Sequence, residues 1–202
     1  MTNYQLEMDK VLEGLGGKRP GLLLHACCAP CSSYVLEYLT NYFDITVFFY
    51  NPNIMPAEEY DKRLAAMHKL LDVMPCASGV KLIEQGRDAE SFLEAARGAE
   101  SEPEGGARCP ACFSLRLGRT AELCRDGGWD YFTTTLTISP HKNAALINKI
   151  GMECAEKTGT VWLPCDFKKR NGYLRSIELC REYGIYRQSW CGCTFAREAV
   201  TP

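Results

Sequence analysis

The chain has 202 residues, 46% of them apolar, which is enough for one domain with a full core. With 24% charged residues and a formal net charge of −2, it resembles an ordinary soluble protein, and a uniformly basic polyanion-binding chain is excluded. The polar N-terminus lacks a signal pattern, and no apolar run reaches the roughly 18 residues of a spanning helix. We therefore expect a cytoplasmic protein without a membrane partner.

Apolar runs alternate with amphipathic stretches along the chain. After an N-terminal helical extension, strands are predicted at 21–26, 45–51, 80–85, 131–139 and 161–167. Helices are predicted at 32–41, 56–74, 88–98, 113–128, 140–159 and 172–184, the first capped by Ser32 or Ser33.

The alternation of strands and helices predicts the fold class. A single α/β domain over 1–202 is expected, with the extension at 1–19 and a cysteine-bearing tail at 188–202. Its centre is a Rossmann-like, doubly wound parallel sheet of about five strands. In such sheets, ligands bind at the carboxyl ends of the strands, near the switch point of the strand order.

Twelve cysteines stand out in a chain expected to stay reduced. In that setting, clustered cysteines indicate metal ligands or redox groups, and isolated ones are typically buried apolar residues. The sequence holds three clusters: "HACCAPCSS" with Cys27, Cys28 and Cys31, "CPAC" with Cys109 and Cys112, and "WCGC" with Cys191 and Cys193.

The first two clusters are candidate metal ligands. If strands one and four are neighbours, Cys27, Cys28, Cys109 and Cys112 converge at one edge of the sheet. Four thiolates suit structural zinc or an iron–sulfur cluster. The pattern favours iron–sulfur, because a vicinal pair on a strand-to-helix loop makes a poor zinc knuckle. Cys31 is within reach as a further ligand.

The third cluster has two interpretations. A C-x-C pair closes a disulfide only in a tight, strained ring, and strained disulfides are the redox-active ones. Gly192 gives the backbone between Cys191 and Cys193 the freedom this needs. A metal-binding role for the pair is the alternative, and the residues alone leave both open.

A basic stretch follows the fifth predicted strand. "DFKKRNGYLRS" contributes Lys168, Lys169, Arg170 and Arg175. Such a run is usually a solvated face, but here it lies at the edge expected to hold the cysteines, where it would bind RNA phosphates. In "SPHKN", a further loop at a carboxyl end, His141 and Lys142 are candidate substrate contacts.

Long stretches of the sequence resemble the cobalamin-independent epoxyqueuosine reductases, the QueH family. The resemblance runs over about residues 20–195, through "LLLHACCAPCSS", "FFYNPNIMPAEEYDKR", "RCPACFSLRL", "FTTTLTISPHKN" and "LPCDFKKRNGYLRSIELCREYGIYRQSWCGC". It implies a fold similar to the adenine-nucleotide alpha-hydrolases. It also implies reduction of epoxyqueuosine to queuosine at the wobble position of a tRNA, with electrons from an unidentified donor.

The resemblance also assigns the cysteines. It implies a [4Fe-4S] cluster on Cys27, Cys28, Cys109 and Cys112, and a redox-active disulfide between Cys191 and Cys193. An additional iron ion beside the cluster is implied as well, with Cys31 as the candidate ligand.

Two other classes are weighed against this one. An ATP-using tRNA-modifying enzyme on the same sheet would carry a phosphate loop such as "SGGxDS" after strand one, where this chain has "HACCAPCS". A zinc-stabilised RNA-binding module without catalysis would use the same thiols as structural ligands.

Overall fold

The computed structural model of the chain describes residues 2–198. Met1 of the predicted extension and residues 199–202 of the predicted tail lie outside the described residues. The helices are α1 Tyr4–Gly14, α2 Ala29–Leu39, α3 Ala57–Val73, α4 Ala89–Ala96, α5 Arg108–Gly127, α6 Ala144–Thr158, α7 Gly172–Glu182 and α8 Thr194–Glu198. Across the described residues, none of the helices has both the length and the apolar character needed to cross a membrane.

The sheet is parallel and has its first strand at the centre. Its strands are β1 Gly21–His25, β2 Asp44–Phe49, β3 Lys81–Glu84 and β4 Tyr131–Thr134. The strand order is β3-β2-β1-β4, with His25 opposite Phe48 on one side and Thr134 on the other. The order reverses at β1, so the predicted neighbourhood of strands one and four is confirmed.

Helices cover both faces of this sheet. α2 packs against α3 and α7, and α5 packs against α4 and α6. Right-handed crossovers place these two groups on opposite faces, because the chain reverses direction across the sheet between β3 and β4. β1 is therefore shielded on both sides, and its Leu22, Leu23 and Leu24 have no solvent exposure.

Several predicted boundaries differ from the structure, among them the starts of α5 at Arg108 and of α6 at Ala144. The start predicted for the helix at 32–41, with Ser32 or Ser33 as its cap, was wrong. This helix, α2, begins at Ala29 with Cys28 as N-cap, because Pro30 suits the first turn, where an N–H is not needed. Residues 135–138 form a 3-10 turn, since Thr134 Oγ1 accepts from the Leu136 N–H and ends the strand. The fifth strand is reduced to one parallel bridge between Phe132 and Trp162.

The packing of Trp162 against α6 leads to a prediction about stability. An added Cβ at Gly151 would lie 2.4 Å from Trp162 Cδ2, and the buried indole is held by its bond to Asn148 Oδ1 at 3.0 Å. We expect Gly151→Ala to lower the free energy of unfolding by about 1–3 kcal/mol, because overpacking outweighs the gain in helix propensity.

Gly118 on α5 is the matched control. Nothing lies within 4 Å of a Cβ built there, so Gly118→Ala should raise the free energy of unfolding by up to about 1 kcal/mol. Urea unfolding under anaerobic conditions measures both variants. A Gly151→Ala midpoint at or above that of the wild type would contradict the packing described here.

Candidate functional site

The thiol trio, Cys27, Cys28 and Cys31, lies where β1 ends and α2 begins. All three Sγ atoms are within 4.8 Å of one another, and those of Cys27 and Cys28 are 3.8 Å apart. In the part of the chain that the structure describes, no other set of three His, Cys, Asp or Glu side chains groups its ligand atoms so tightly. Three sulfurs at this separation can hold a thiophilic metal.

The surroundings of the trio favour deprotonation of one of its thiols, that of Cys27. The pKa of Cys27 is well below its ordinary value because the Cys28 and Cys31 thiols donate hydrogen bonds to it. The nearby Arg116 and the Thr135 hydroxyl, 3.3 Å from the sulfur, act in the same direction. Burial raises the pKa of Cys28 to about 12, and the bond to Cys27 raises the pKa of Cys31.

The CPAC turn, residues 109–112, is the first turn of α5 and the second thiol group. Buried Arg108 fixes the helix start, since its Nη1 donates to three carbonyls of the preceding loop at 3.1, 2.8 and 2.6 Å. The Gly105 N–H donates to Cys109 Sγ at 3.2 Å. Cys112 is buried, and that burial raises the pKa of its thiol. Both sulfurs lie outside the tight trio.

The CxC segment, residues 190–193, is fastened by its main chain. Buried Arg63 donates to the carbonyls of Trp190 and Cys191, each at 3.1 Å, and its guanidinium lies 5.4 Å from the Trp190 ring centroid. Asn53 Nδ2 also donates to the Cys191 carbonyl at 3.3 Å, and the Gly192 carbonyl accepts from a backbone N–H at 2.9 Å. Three successive carbonyls are thus held from α3 and from the loop after β2.

Gly192 is the residue that this arrangement requires. Its φ is +98°, a left-handed conformation that side chains disfavour. A Cβ there would also lie 2.9 Å from Ile54 Cγ1 and 3.0 Å from Arg63 Nη1. The predicted need for glycine between the two cysteines is confirmed, while Cys191 and Cys193 are free thiols in the structure.

Two adjoining cavities connect the three thiol groups. The trio cavity, about 330 Å³, is lined by Cys27, Cys28 and Cys31, and the dithiol cavity, about 50 Å³, by Cys109, Cys112, Cys191 and Cys193. Both cavities share five wall residues: Glu104, Arg116, His141, Lys142 and Cys191. Cys191 therefore faces the trio on one side and the CPAC turn on the other.

Lys142 lies at the centre of this shared wall. Its ammonium is 3.6 Å from the Glu104 carboxylate, and its side chain is only 15% exposed. Burial alone would lower its pKa, but the neighbouring charges of Cys27, Cys191 and Glu104 outweigh it and raise the pKa. Lys142 therefore stays a cation at neutral pH.

Cys191 should react as a thiolate well below the ordinary range. Its pKa is lowered to about 6, first by a hydrogen bond from the Cys193 thiol and further by the Lys142 ammonium. The alkylation rate of Cys191 in reduced protein should therefore rise through about pH 6, because only the deprotonated sulfur attacks. Iodoacetamide labelling from pH 4 to 10, read by peptide mass spectrometry, measures this profile.

Lys142→Met is the companion variant for that measurement. Loss of the ammonium should move the midpoint of the Cys191 profile to higher pH, since the thiolate loses a neighbouring positive charge. A wild-type midpoint near the ordinary thiol value of 9.0 would contradict the assignment.

The predicted substrate contacts fall into two groups. His141 and Lys142 line both cavities. The four cations of the basic stretch lie outside these walls, although Tyr173 and Ser176 of the same stretch line the trio cavity. Three of these cations have carboxylate partners. The pairs are Lys168 with Asp166 at 2.9 Å, Arg170 with Asp9 at 2.6 Å, and Arg175 with Glu37 at 2.7 Å. Lys169 is exposed. The RNA-binding role of this stretch stays a prediction.

Sequence reasoning missed two buried arginines of the site. Arg63 fastens the CxC segment, and Arg116 lines both cavities. A spacing signal was available only for Arg116, which follows Cys112 by four residues on one helix and so shares its face. Arg63 lies 128 residues before Cys191, and no local pattern joins the two.

The fold and the site together define a parallel α/β protein with a thiol-based candidate metal site and a neighbouring CxC pair. A family-level sequence profile described as "Epoxyqueuosine reductase QueH" matches residues 22–199. The chain belongs to the QueH family. The resemblance inferred from its motifs is thereby confirmed.

Curated relatives in several bacteria share most of this chain. A protein of Streptococcus pyogenes serotype M1 is 44% identical over 202 residues, covering 96% of this chain and 79% of its own length. A protein of Staphylococcus epidermidis is 45% identical, and the match covers 97% of this chain and 87% of that protein. A protein of Thermotoga maritima is 37% identical, and the match covers 87% of this chain and 89% of that protein. Each of the three is named "Epoxyqueuosine reductase QueH".

Proposed function

We propose that this protein is an epoxyqueuosine reductase, which converts epoxyqueuosine at the wobble position of a tRNA to queuosine. Family membership supports the reaction class. The observation that carries the proposal is the convergence of the thiol trio, the CPAC turn and the CxC pair on two cavities with a common wall. A zinc-stabilised RNA-binding module has no use for a CxC pair held in that wall.

The electron balance of the reaction suits a dithiol. Removal of the epoxide oxygen as water breaks both of its C–O bonds and consumes two electrons and two protons. Oxidation of Cys191 and Cys193 to a disulfide releases the same number of each. A reductant from the cell, of a class able to reduce disulfides, then restores the pair. The CxC disulfide is thus the oxidised state of the enzyme after one turnover.

The thiols fit the metal group that the family implies. In our proposal Cys27, Cys28, Cys109 and Cys112 hold a [4Fe-4S] cluster, and Cys31 is a ligand of an additional iron ion. The separation of the trio sulfurs supports thiolate ligation at this edge of the sheet. When bound, such iron supplies single electrons and a Lewis acid for the leaving oxygen.

The charges of the trio cavity support a nucleotide substrate. Its lining includes four cations and one carboxylate, namely Arg63, Arg116, Lys142, Arg187 and Glu104. An excess of positive charge in a polar cavity favours the phosphates that flank a wobble nucleotide. His141 and Lys142 are proposed to contact the substrate there, and Lys168, Lys169, Arg170 and Arg175 the tRNA farther out. The proposed reaction belongs in the cytoplasm, where thiols stay reduced.

Anaerobic purification followed by a turnover assay tests the proposal. We expect brown protein with about four or five iron atoms per chain. With a chemical reductant it should convert epoxyqueuosine in tRNA to queuosine, detected by mass spectrometry of digested nucleosides. Colourless protein with stoichiometric zinc and no conversion would overturn the proposal in favour of a zinc-stabilised RNA-binding module.

A further inference from the structure

Arg116 is a buried cation that forms no ion pair with a carboxylate of the described residues. It is 3% exposed, and among the described residues none of the ion pairs includes it. Its guanidinium donates instead to Asn51 Oδ1 and to Cys112 Sγ at 3.9 Å, and its Nε lies 3.3 Å from His25 Nε2, a nitrogen that is also 3.1 Å from the Tyr50 carbonyl. Buried charges are normally paired, because an isolated one is costly to desolvate. The compensating negative charge is therefore to be sought in what the site holds.

The neighbours of Arg116 fix its position between the two halves of the thiol site. Asn51 donates to the carbonyl of Ala26 at 2.9 Å, so it is tied to the residue before Cys27. His25 is held by Thr134 Oγ1 at 2.7 Å. Arg116 is thus the fixed positive charge between β1 and α5.

The thiols are the groups on which this charge acts. Arg116 contacts the sulfur of Cys112, and it lines the trio cavity together with Cys27, Cys28 and Cys31. Its guanidinium already faces Asn51, Cys112 and His25 of the protein, which favours charge compensation over recognition of a substrate phosphate.

We propose that Arg116 is the counter-cation of the metal–thiolate site and raises its reduction potential. The inference rests on the function proposed above. A one-electron reduction adds one negative charge to the site, so a fixed cation stabilises the reduced form more than the oxidised form. Without Arg116 the electron is harder to add, and the midpoint potential falls.

The midpoint potential of the anaerobically purified, iron-loaded protein tests this role. In Arg116→Gln we expect reduction to become at least about tenfold less favourable, a fall of about 59 mV for a one-electron couple. Arg116→Lys keeps the charge and should lie closer to the wild type. Arg119→Gln is the matched control on the same helix, since the Arg119 side chain is 37% exposed and pairs with Glu122, and its midpoint should not change.

A second variant covers the case in which Arg116→Gln does not fold or load iron. Asn51→Asp leaves Arg116 in place and puts a carboxylate beside its guanidinium, so it should lower the midpoint in the same direction. If Arg116→Gln or Asn51→Asp loads iron and has the same midpoint potential as the wild type, the inference is overturned. An equal fall of the midpoint potential in Arg119→Gln would overturn it as well. A raised KM for tRNA with an unchanged midpoint would assign Arg116 to substrate binding and overturn it too.

Failure of this inference is distinguishable from failure of the proposed function. An iron-loaded protein that reduces epoxyqueuosine but whose Arg116→Gln variant has an unchanged midpoint would overturn the inference alone. Wild-type protein that holds no iron would overturn both.

Discussion

Replacing either Cys191 or Cys193 by serine is expected to reduce turnover by more than about 100-fold, equivalent to about 2.7 kcal/mol or more of barrier. A single remaining thiol cannot close the disulfide that releases two electrons. The iron content and brown colour should persist, because the proposed ligands lie in the loop between β1 and α2, on α2 and on α5. Nucleoside mass spectrometry gives the turnover, and metal analysis gives the iron.

Cys76→Ser is the matched control for these two variants. Cys76 is also half-buried, as Cys191 is, but it lies in the 3-10 turn after α3 and lines neither cavity. It should keep both iron and activity. Loss of iron in Cys191→Ser or Cys193→Ser would instead make the CxC pair metal ligands, the alternative that the sequence left open.

Cys27→Ser is expected to remove both the iron–sulfur absorbance and the activity. Its sulfur lies 3.8 Å from Cys28 Sγ, and it is the member of the trio whose pKa is lowered, so it is the thiol most readily available as a thiolate ligand. A serine hydroxyl is a harder and less acidic donor that iron binds poorly. Absorbance near 400 nm and iron analysis under anaerobic conditions measure the loss.

The Cys31→Ser variant distinguishes between two possible sets of cluster ligands. If Cys31 binds only the additional iron, the variant should keep the cluster absorbance and lose about one iron per chain. If the tight trio instead supplies three cluster ligands, Cys31→Ser would lose the whole cluster, and Cys109→Ser or Cys112→Ser would keep it. That second pattern would contradict the assignment carried over from the family.

The centre of the sheet could be predicted because its strands are short apolar runs in a single buried environment. β1 and β2 are buried on both faces, so composition alone marks them. The ends of β4 and of the fifth predicted strand were misplaced because a side-chain hydrogen bond and a proline interrupt these strands. Thr134 ends β4 early through its own hydroxyl, and Pro164 removes a ladder donor from the fifth predicted strand.

The thiols of the site could be predicted, but most of what surrounds them could not. Vicinal and C-x-x-C spacings are local patterns with a chemical meaning. The contact of Arg63 with Cys191 and that of Arg116 with Asn51 join residues 128 and 65 positions apart, and a lone arginine has no local signature. The pairing of Lys142 with Glu104 depends in the same way on the folded loop before α5.

The hydrogen bonds from Arg63 to the CxC segment affect the expected stability of shortened forms of the chain. The carbonyls of Trp190 and Cys191 are acceptors for a guanidinium that is itself 2% exposed. Ending the chain before residue 190 would remove both acceptors and leave buried donors unsatisfied, at a cost of about 1–3 kcal/mol each. We therefore expect truncation to weaken α3 as well as remove the dithiol, so residues 190–193 should contribute to the stability of the fold.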